Sequence, residues 1–514
     1  MKVAFRADAA VEIGTGHVMR CLTLADALAR AGAACLFVCR DLPGHLLPAI
    51  EARGHAVHLL PAAGDFVPRA GDPPHAAWAA TPWERDAAET AAALASFAPD
   101  LIVLDHYAFD ARWEGVAAAG RRLLVIDDLA DRPHRAEILL DQTLGRRARD
   151  YDGLLPAATL RLLGPAFALL RPEFAARRAE SLARRRAPRL SRLLVAMGGI
   201  DKGNATGAVL GRLARTALPA DLSIDVVMGG AAPFLDAVRG QAAAMPVPTR
   251  VLVDVADMAG LMTAADLAIG AAGGTSWERC CLGLPSLTLV LADNQAGIAH
   301  ALAGAGAALP LGRAEAPGWP ERLAAALADP PLAELAARAA DLCDGQGAER
   351  LCHVLRAGGA LSVRPATAAD APAVHVWRLA EGAARYYRQG QVPSVEGHVA
   401  WFGRALADPA RLLYMVGYGD LAIAHVRFDR HAVDPASADI GICVDPRWRG
   451  GHVGRGALAA ALDAAQKAGI RTVIAEIHQD NAASRRAFEA AGFTPLAGDG
   501  AFLRYALVLG SVQP

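Results

Sequence analysis

Along the first third of the chain, short apolar runs alternate with longer stretches whose apolar residues recur every three or four positions. Residues 3–5, 35–39, 101–104 and 123–126 are continuously apolar and too short for helices, and Ala-rich periodic segments separate them. Strands alternating with helices predict a parallel, doubly wound sheet. A basic helical stretch, FAARRAESLARRRAPRL, breaks at Pro188 and reads as a connector. The alternation restarts at SRLLVAMGGID, with strands predicted at 193–197, 224–227, 267–269 and 286–290. Near residues 358–361 the pattern changes again: a glycine pair, a strand at 361–364, then a helix opened by Thr367 or Asp370. The chain divides into three α/β units, residues 1–177, 188–357 and 361–510. Ligands of doubly wound sheets bind beyond the carboxyl ends of the strands, so two similar halves in series predict a cleft enzyme.

Composition narrows the class. The 514 residues are 54 % hydrophobic, enough for several cores, and Lys+Arg 52 against Asp+Glu 53 leaves a net charge of −1. That balance argues against a nucleic-acid binder or a polybasic membrane protein. The start, MKVAFRADA, puts Arg6 and Asp8 inside what would be the apolar core of a secretion signal, and no apolar stretch is long enough for a membrane span. The expectation is a cytoplasmic chain. Its eight cysteines lack CxxC spacing, which predicts reduced thiols and no zinc site.

The chemistry begins in VEIGTGHVMRCLTLADAL. A glycine-rich turn with Gly14 and Gly16 joins the first strand to a helix, and His17 sits at the junction with Arg20 one turn on. Such turns present backbone N–H groups to polar ligands. The residues alone leave two readings of His17 open, a local cap and a proton acceptor. Asp8, Asp105, Asp127 and Asp128 all end apolar strands, which suits sugar hydroxyls and helix capping equally.

RADAAVEIGTGHVMRCLTLA, LLGPAFALLRPEF, VAMGGID and GGTSWERCCLGLPSLTLVLADNQ together resemble the UDP-2,4-diacetamido-2,4,6-trideoxy-β-L-altropyranose hydrolases of pseudaminic acid biosynthesis. Those enzymes are similar to glycosyltransferases of the GT-B type, with two Rossmann-like domains. The resemblance covers the first two units. It implies that His17 activates water for attack on the anomeric carbon without a metal, releasing UDP. It also implies UDP-sugar contacts by Gly14, Gly16, Arg20, Asp8, Arg171, Glu278, Asn294 and Gln295. Leaving-group charge would fall to fixed donors, with Gly198 and Gly199 set before a helix N-terminus. Each has a bland counterpart: a tight turn for the glycine pair, a favourable helix-start charge for Glu278, and a locally bonded turn for Asn294 and Gln295.

In the third unit, ADIGICVDPRWRGGHVGRGALAAALDAAQKAGIRTVIAEIHQDNAASRRAFEAAGF is similar to the GNAT acetyltransferases. The resemblance implies acetyl-CoA as co-substrate. The backbone of residues 449–454 would hold its pyrophosphate, so Arg449, Gly450, Gly451, Val453, Gly454 and Gly456 are candidates. Two splaying parallel strands, with Ile442 and Val444, would bind pantetheine as an added strand, and Asn481 and Ser484 would contact the CoA arm. Two departures stand out. His452 occupies the first glycine of R-x-x-G-x-G, and Phe488 replaces a common tyrosine acid. Glu476, or His478, is the candidate base for the amine, and Glu476 reads equally as a surface strand residue. VWRLAEGAARYYRQGQVPSVEGHVAWF resembles the acceptor-binding part of an N-acetyltransferase acting on a UDP-4-amino-sugar. That assigns Arg378, Tyr387, His398 and Trp401 to the nucleotide, against a helix that merely packs Trp and His on the sheet.

Taken together, the resemblances imply two consecutive steps on one chain: acetylation of UDP-4-amino-4,6-dideoxy-N-acetyl-β-L-altrosamine, then hydrolysis of the product. Two alternatives stay open: a different 4-amino nucleotide sugar, and a non-hydrolytic binding module fused to an acetyltransferase. UDP-sugars are the expected partners, with no nucleic acid or membrane, and the oligomeric state stays open.

Overall fold

The computed structural model describes the chain except residues 63, 65, 381–383, 387–392, 452, 497–499 and 511–514. The first sheet has strands β1 (Lys2–Ala7), β2 (Ala34–Arg40), β3 (Ala56–Leu60), β4 (Leu101–Asp105), β5 (Arg122–Ile126), β6 (Ile138–Asp141) and β7 (Leu160–Leu163). They run parallel in the order β3-β2-β1-β4-β5-β6-β7. The second has β8 (Arg192–Ala196), β9 (Ser223–Met228), β10 (Thr249–Val253), β11 (Leu267–Ala271), β12 (Ser286–Val290) and β13 (Leu309–Arg313). It is parallel in the order β10-β9-β8-β11-β12-β13. The central strands β4, β11 and β12 are buried along their whole length and mostly apolar, as sheets covered on both faces require.

In each sheet the strand order reverses beside the first strand of the unit, between β1 and β4 and again between β8 and β11. A crevice opens at the carboxyl ends of such a strand pair. The GTGH turn follows β1, and the GG turns follow β8 and β11.

The two units exchange helices across the boundaries expected at residues 177 and 357. Pro172–Arg184 lies on the second unit, where Arg178 donates to the carbonyls of Cys281, Ala340 and Cys343 and Ser181 to that of Leu282. Gly347–Arg356 returns to the first unit: Ala348, Leu351, Val354 and Leu355 enter its core, and Arg350 donates to the Ala166 carbonyl at 2.6 Å.

The third sheet has β14 (Ser362–Pro365), β15 (Arg411–Tyr418), β16 (Leu421–Arg430), β17 (Ser437–Val444), β18 (Thr472–His478), β19 (Thr494–Pro495) and β20 (Phe502–Val508). Its order is β14-β15-β16-β17-β18-β20-β19, antiparallel except for β17 with β18. That parallel pairing ends at Ile440 opposite Ala475, although both strands continue. The pair therefore splays, as expected, and Ile442 and Val444 lie on the opened stretch. Among the described residues no helix is long and apolar enough to cross a membrane.

Candidate active site

A cavity of about 890 Å³ lies between the first two units. Gly16, His17, Arg20, Arg171, Gly198, Gly199, Glu278, Asn294 and Gln295 all line it. Residues that sequence reading drew from four separate stretches thus converge on one space.

His17 opens the helix Gly16–Arg30 and is nearly buried, with its Nδ1 2.6 Å from Asp105 Oδ1 at the end of β4. Burial alone would raise the Asp105 carboxyl, but Arg20 and His17 more than offset it and hold it well below the usual carboxylate range. An ionised carboxylate only accepts, so Nδ1 carries the proton and Nε2 is left as an acceptor. Arg20 grips the same carboxylate through Nε and Nη2, at 2.6 and 2.7 Å, and reaches Asp128 through Nη1. Tyr107 stands edge-on to His17 at 4.6 Å between ring centroids, and its hydroxyl donates to Asp128 at 2.8 Å. Trp78 stacks on Tyr107 at 5.7 Å. The other Asp128 oxygen, Oδ1, is buried without a hydrogen-bond partner among the described residues, and Asp128 lines the cavity.

Two expectations change. Asp8 does not line the cavity. It is fully buried, paired with Arg6 at 2.6 Å and facing His106, and it accepts the Arg40 N–H. Burial would raise its carboxyl, but Arg6 and His106 hold it well below the ordinary range. Gly14 is likewise outside the cavity lining; at φ 82° it closes a tight turn onto Ala10. Gly198 and Gly199 do line the cavity, but the helix after them is not open to a phosphate. The carboxylate of Asp201 accepts from Ala205 and Thr206, and Asn204 accepts from Gly207, so its first amides are capped from within.

On the facing wall, burial pushes the Glu278 carboxyl up to about 7, against the pull of Arg171 and Arg279. Arg171 is paired with Glu173 at 2.9 Å. Gln295 accepts the Leu291 N–H through Oε1, the local turn bond that stood as the alternative to a substrate contact. Sequence reading missed Trp78, Tyr107, Gln142, Thr143, Arg146 and Asp254, all of which line the cavity. Asp254, directly after β10, was detectable as another strand-end carboxylate; Trp78 carries no local signal.

In the third unit, Gly450 and the Arg449 side chain are exposed, but the Arg449 guanidinium is turned back onto the carbonyls of Val444 and Trp377. Any phosphate contact there falls to backbone N–H groups. Gly454 and Gly456 lie in the first turns of the helix Val453–Lys467. Asn481 caps Ala482–Ala490 by accepting the Ser484 N–H at 3.1 Å. Glu476 is exposed on β18, and Phe488 is a core residue edge-on to Phe493 at 4.9 Å. His398 is fully buried among His375, Trp401 and Phe402. Burial, with the charges of Arg378 and His375, pushes it down to about 4. Trp401 has Arg427 over its ring at 5.5 Å. These two side chains are thus engaged within the fold, the packing alternative of the sequence reading, while Arg378 is half-buried beside them. Tyr387 and His452 lie outside the described residues. Among the described residues no cluster of His, Cys, Asp or Glu is arranged to hold a metal ion.

Residues 360–494 match the acetyltransferase (GNAT) domain family. A stretch of 123 residues is 37 % identical to the spore coat polysaccharide biosynthesis protein SpsG of Bacillus subtilis, covering 24 % of this chain and 36 % of that protein. A stretch of 171 residues is 28 % identical to the UDP-2,4-diacetamido-2,4,6-trideoxy-β-L-altropyranose hydrolase of Campylobacter jejuni, covering 33 % of this chain and 52 % of that protein. The chain spans about half the length, or less, of these curated relatives. Among solved structures, MurG of Acinetobacter baumannii shares the fold: 17 % identity and a TM-score of 0.50, over 69 % of this chain and 99 % of that one. The GT-B-like pair of Rossmann units followed by a GNAT domain is the architecture the motifs implied.

Proposed function

We propose that the chain is a bifunctional nucleotide-sugar enzyme. Its GNAT domain transfers acetyl from acetyl-CoA to the 4-amine of a UDP-amino-sugar, and its first two units hydrolyse the acetylated product. The observation that carries the hydrolytic half is the His17–Asp105 pair, with His17 lining the cavity and Asp105 buried behind it. His17 Nε2 takes a proton from water as the oxygen attacks the anomeric carbon. The C–O bond breaks, its electron pair leaves with UDP, and the imidazolium formed is stabilised by Asp105. Glu278 accepts ribose hydroxyls, Arg171 meets the diphosphate, and the free Asp128 Oδ1 accepts an amide or hydroxyl proton of the sugar. The sugar that fits the resemblance is UDP-2,4-diacetamido-2,4,6-trideoxy-β-L-altropyranose, which makes pseudaminic acid, a flagellin-type glycan sugar, the pathway product.

In the GNAT half the amine attacks the thioester carbonyl, the amine proton passes to Glu476 through water, and CoA leaves as thiolate. The bond cleaved in hydrolysis is tested in ¹⁸O water. Label in the free sugar and none in UDP is the expected result; label in UDP would place attack at phosphorus.

A further inference from the structure

The loop that opens the helix Val453–Lys467 has two faces. Arg449 and Gly450 are exposed, whereas Trp448, Gly451 and Val453 are buried. What covers the buried face is the first unit. Trp448 and Val453, with Tyr418 and Ile423, belong to the same apolar cluster as Phe5, Phe167 and Leu351. Trp448 stands edge-on to Phe167 at 4.9 Å between centroids and lies against Tyr418 at 5.5 Å. A Cβ on Gly451 would fall 2.1 Å from the Arg161 carbonyl oxygen, so glycine there serves close approach of the two units. Arg447, held by Asp445, also donates to Asp344 Oδ2 at 3.1 Å, and Asp344 is paired with Arg350. The platform itself is tightly built. A Cβ on Gly347 would lie 2.3 Å from the Ala168 carbonyl, and Arg350 binds the Ala166 carbonyl.

We propose that the neighbouring units complete the acetyl-CoA site, with Phe167 of the first unit and Asp344, just ahead of the helix Gly347–Arg356 that returns to it, acting as positioning residues that fix residues 447–451 and 453–454 in their ligand-ready shape. A pyrophosphate loop needs several N–H groups convergent before the ligand arrives. Otherwise the cost of ordering them comes out of the affinity. Here one face of the loop is anchored by the neighbouring unit and the other is left free. Acetyl-CoA affinity therefore depends on side chains that touch neither CoA nor sugar. This rests on the acetyl-transfer reading above.

The test uses the full chain with Phe167→Ala and Asp344→Asn, neither of which lines the sugar-nucleotide cavity. Phe167→Ala should raise the Kd and KM for acetyl-CoA roughly tenfold, leave kcat at saturating acetyl-CoA near wild type, and leave UDP release from a pre-acetylated nucleotide sugar unchanged. Phe167→Leu should recover most of the affinity, and Asp344→Asn should show the same pattern more weakly. Unchanged acetyl-CoA affinity in both variants, with the wild type binding it, overturns this inference alone. A wild type that binds no acetyl-CoA overturns the acetyl-transfer reading and this inference with it. If Phe167→Ala loses hydrolysis too, it has misfolded, and Asp344→Asn decides by the same criterion.

Discussion

Deleting the His17 imidazole removes the proposed proton acceptor but little packing, because the ring meets the cavity on one side. His17→Ala should keep UDP affinity in a calorimetric titration while kcat for hydrolysis falls about 10²–10⁴-fold; near-normal turnover would end the assignment. Asp105→Asn should be almost as damaging. A neutral amide no longer demands a proton on Nδ1, so the tautomer with Nε2 free is no longer enforced. Glu278 gives a pH test. With its carboxyl pushed up to about 7, the ionised form that accepts ribose hydroxyls is gained as pH rises through that value. Uridine, which carries no titrating phosphate, should bind more tightly at pH 8 than at pH 6, and Glu278→Gln should flatten the profile. A flat wild-type profile would contradict the ribose role. At this scale the motifs led to the cavity wall, where His17 and Glu278 both stand. Asp105 was one of four strand-end carboxylates, and only the fold separates it from Asp8, which ends the neighbouring strand but turns into the core. Trp78 comes from a single 3-10 turn, Ala76–Ala79, and Tyr107 from a loop, where spacing carries no information about direction.

In the first two units, eight strands stand on the continuous apolar runs of the sequence. β1, β2, β4, β5, β8, β9, β11 and β12 stand where the continuous runs put them. β3, β6, β7, β10 and β13 went unread. β3 and β10 lie at sheet edges and expose much of their length, and β13, LPLGR, carries both Pro and Gly. A buried ion network pins the first sheet to the helix Trp83–Phe97. Asp86 accepts from Arg6, Arg40 and the Trp113 indole, all within the core. Asp86→Ala would leave two buried guanidiniums short of their partner and should cost roughly 3–5 kcal/mol, read as a lower midpoint in denaturant. The loop proposed to hold acetyl-CoA offers a cleaner probe. A Cβ on Gly454 would meet only Val444, at an ordinary 3.7 Å. Gly454→Ala should therefore fold normally, so any loss of acetyl-CoA binding reports on the ligand's own space. Unaltered acetyl transfer with a larger Gly454→Val would place the pyrophosphate elsewhere.

At the scale of the whole molecule, the three-unit plan was legible but its seams were not. Pro172–Arg184 and Gly347–Arg356 each pack on the unit opposite to the one their position suggests, and local periodicity reports a helix without naming its partner. The third unit also shares apolar surface with the first through Trp448 and Val453, so cutting the chain near residue 361 would expose that face. Acid should loosen the first unit. Asp8, Asp86 and Asp105 are all held below their ordinary values by buried partners. Their stabilisation is complete above the unfolded carboxylate range, about pH 4, and is lost progressively as pH falls from there towards the lower folded-state values; a melting temperature that did not fall below that range would contradict the ion-pair geometry. The central claim is that one chain acetylates a 4-amino nucleotide sugar and then hydrolyses the product. Its most direct test gives the intact protein UDP-4-amino-4,6-dideoxy-N-acetyl-β-L-altrosamine with and without acetyl-CoA, and follows every product by mass spectrometry and NMR. The account predicts CoA, UDP and free diacetamido sugar when acetyl-CoA is present, and little UDP without it. Equal UDP release in both samples, or an acetylated nucleotide sugar that accumulates intact, would contradict it.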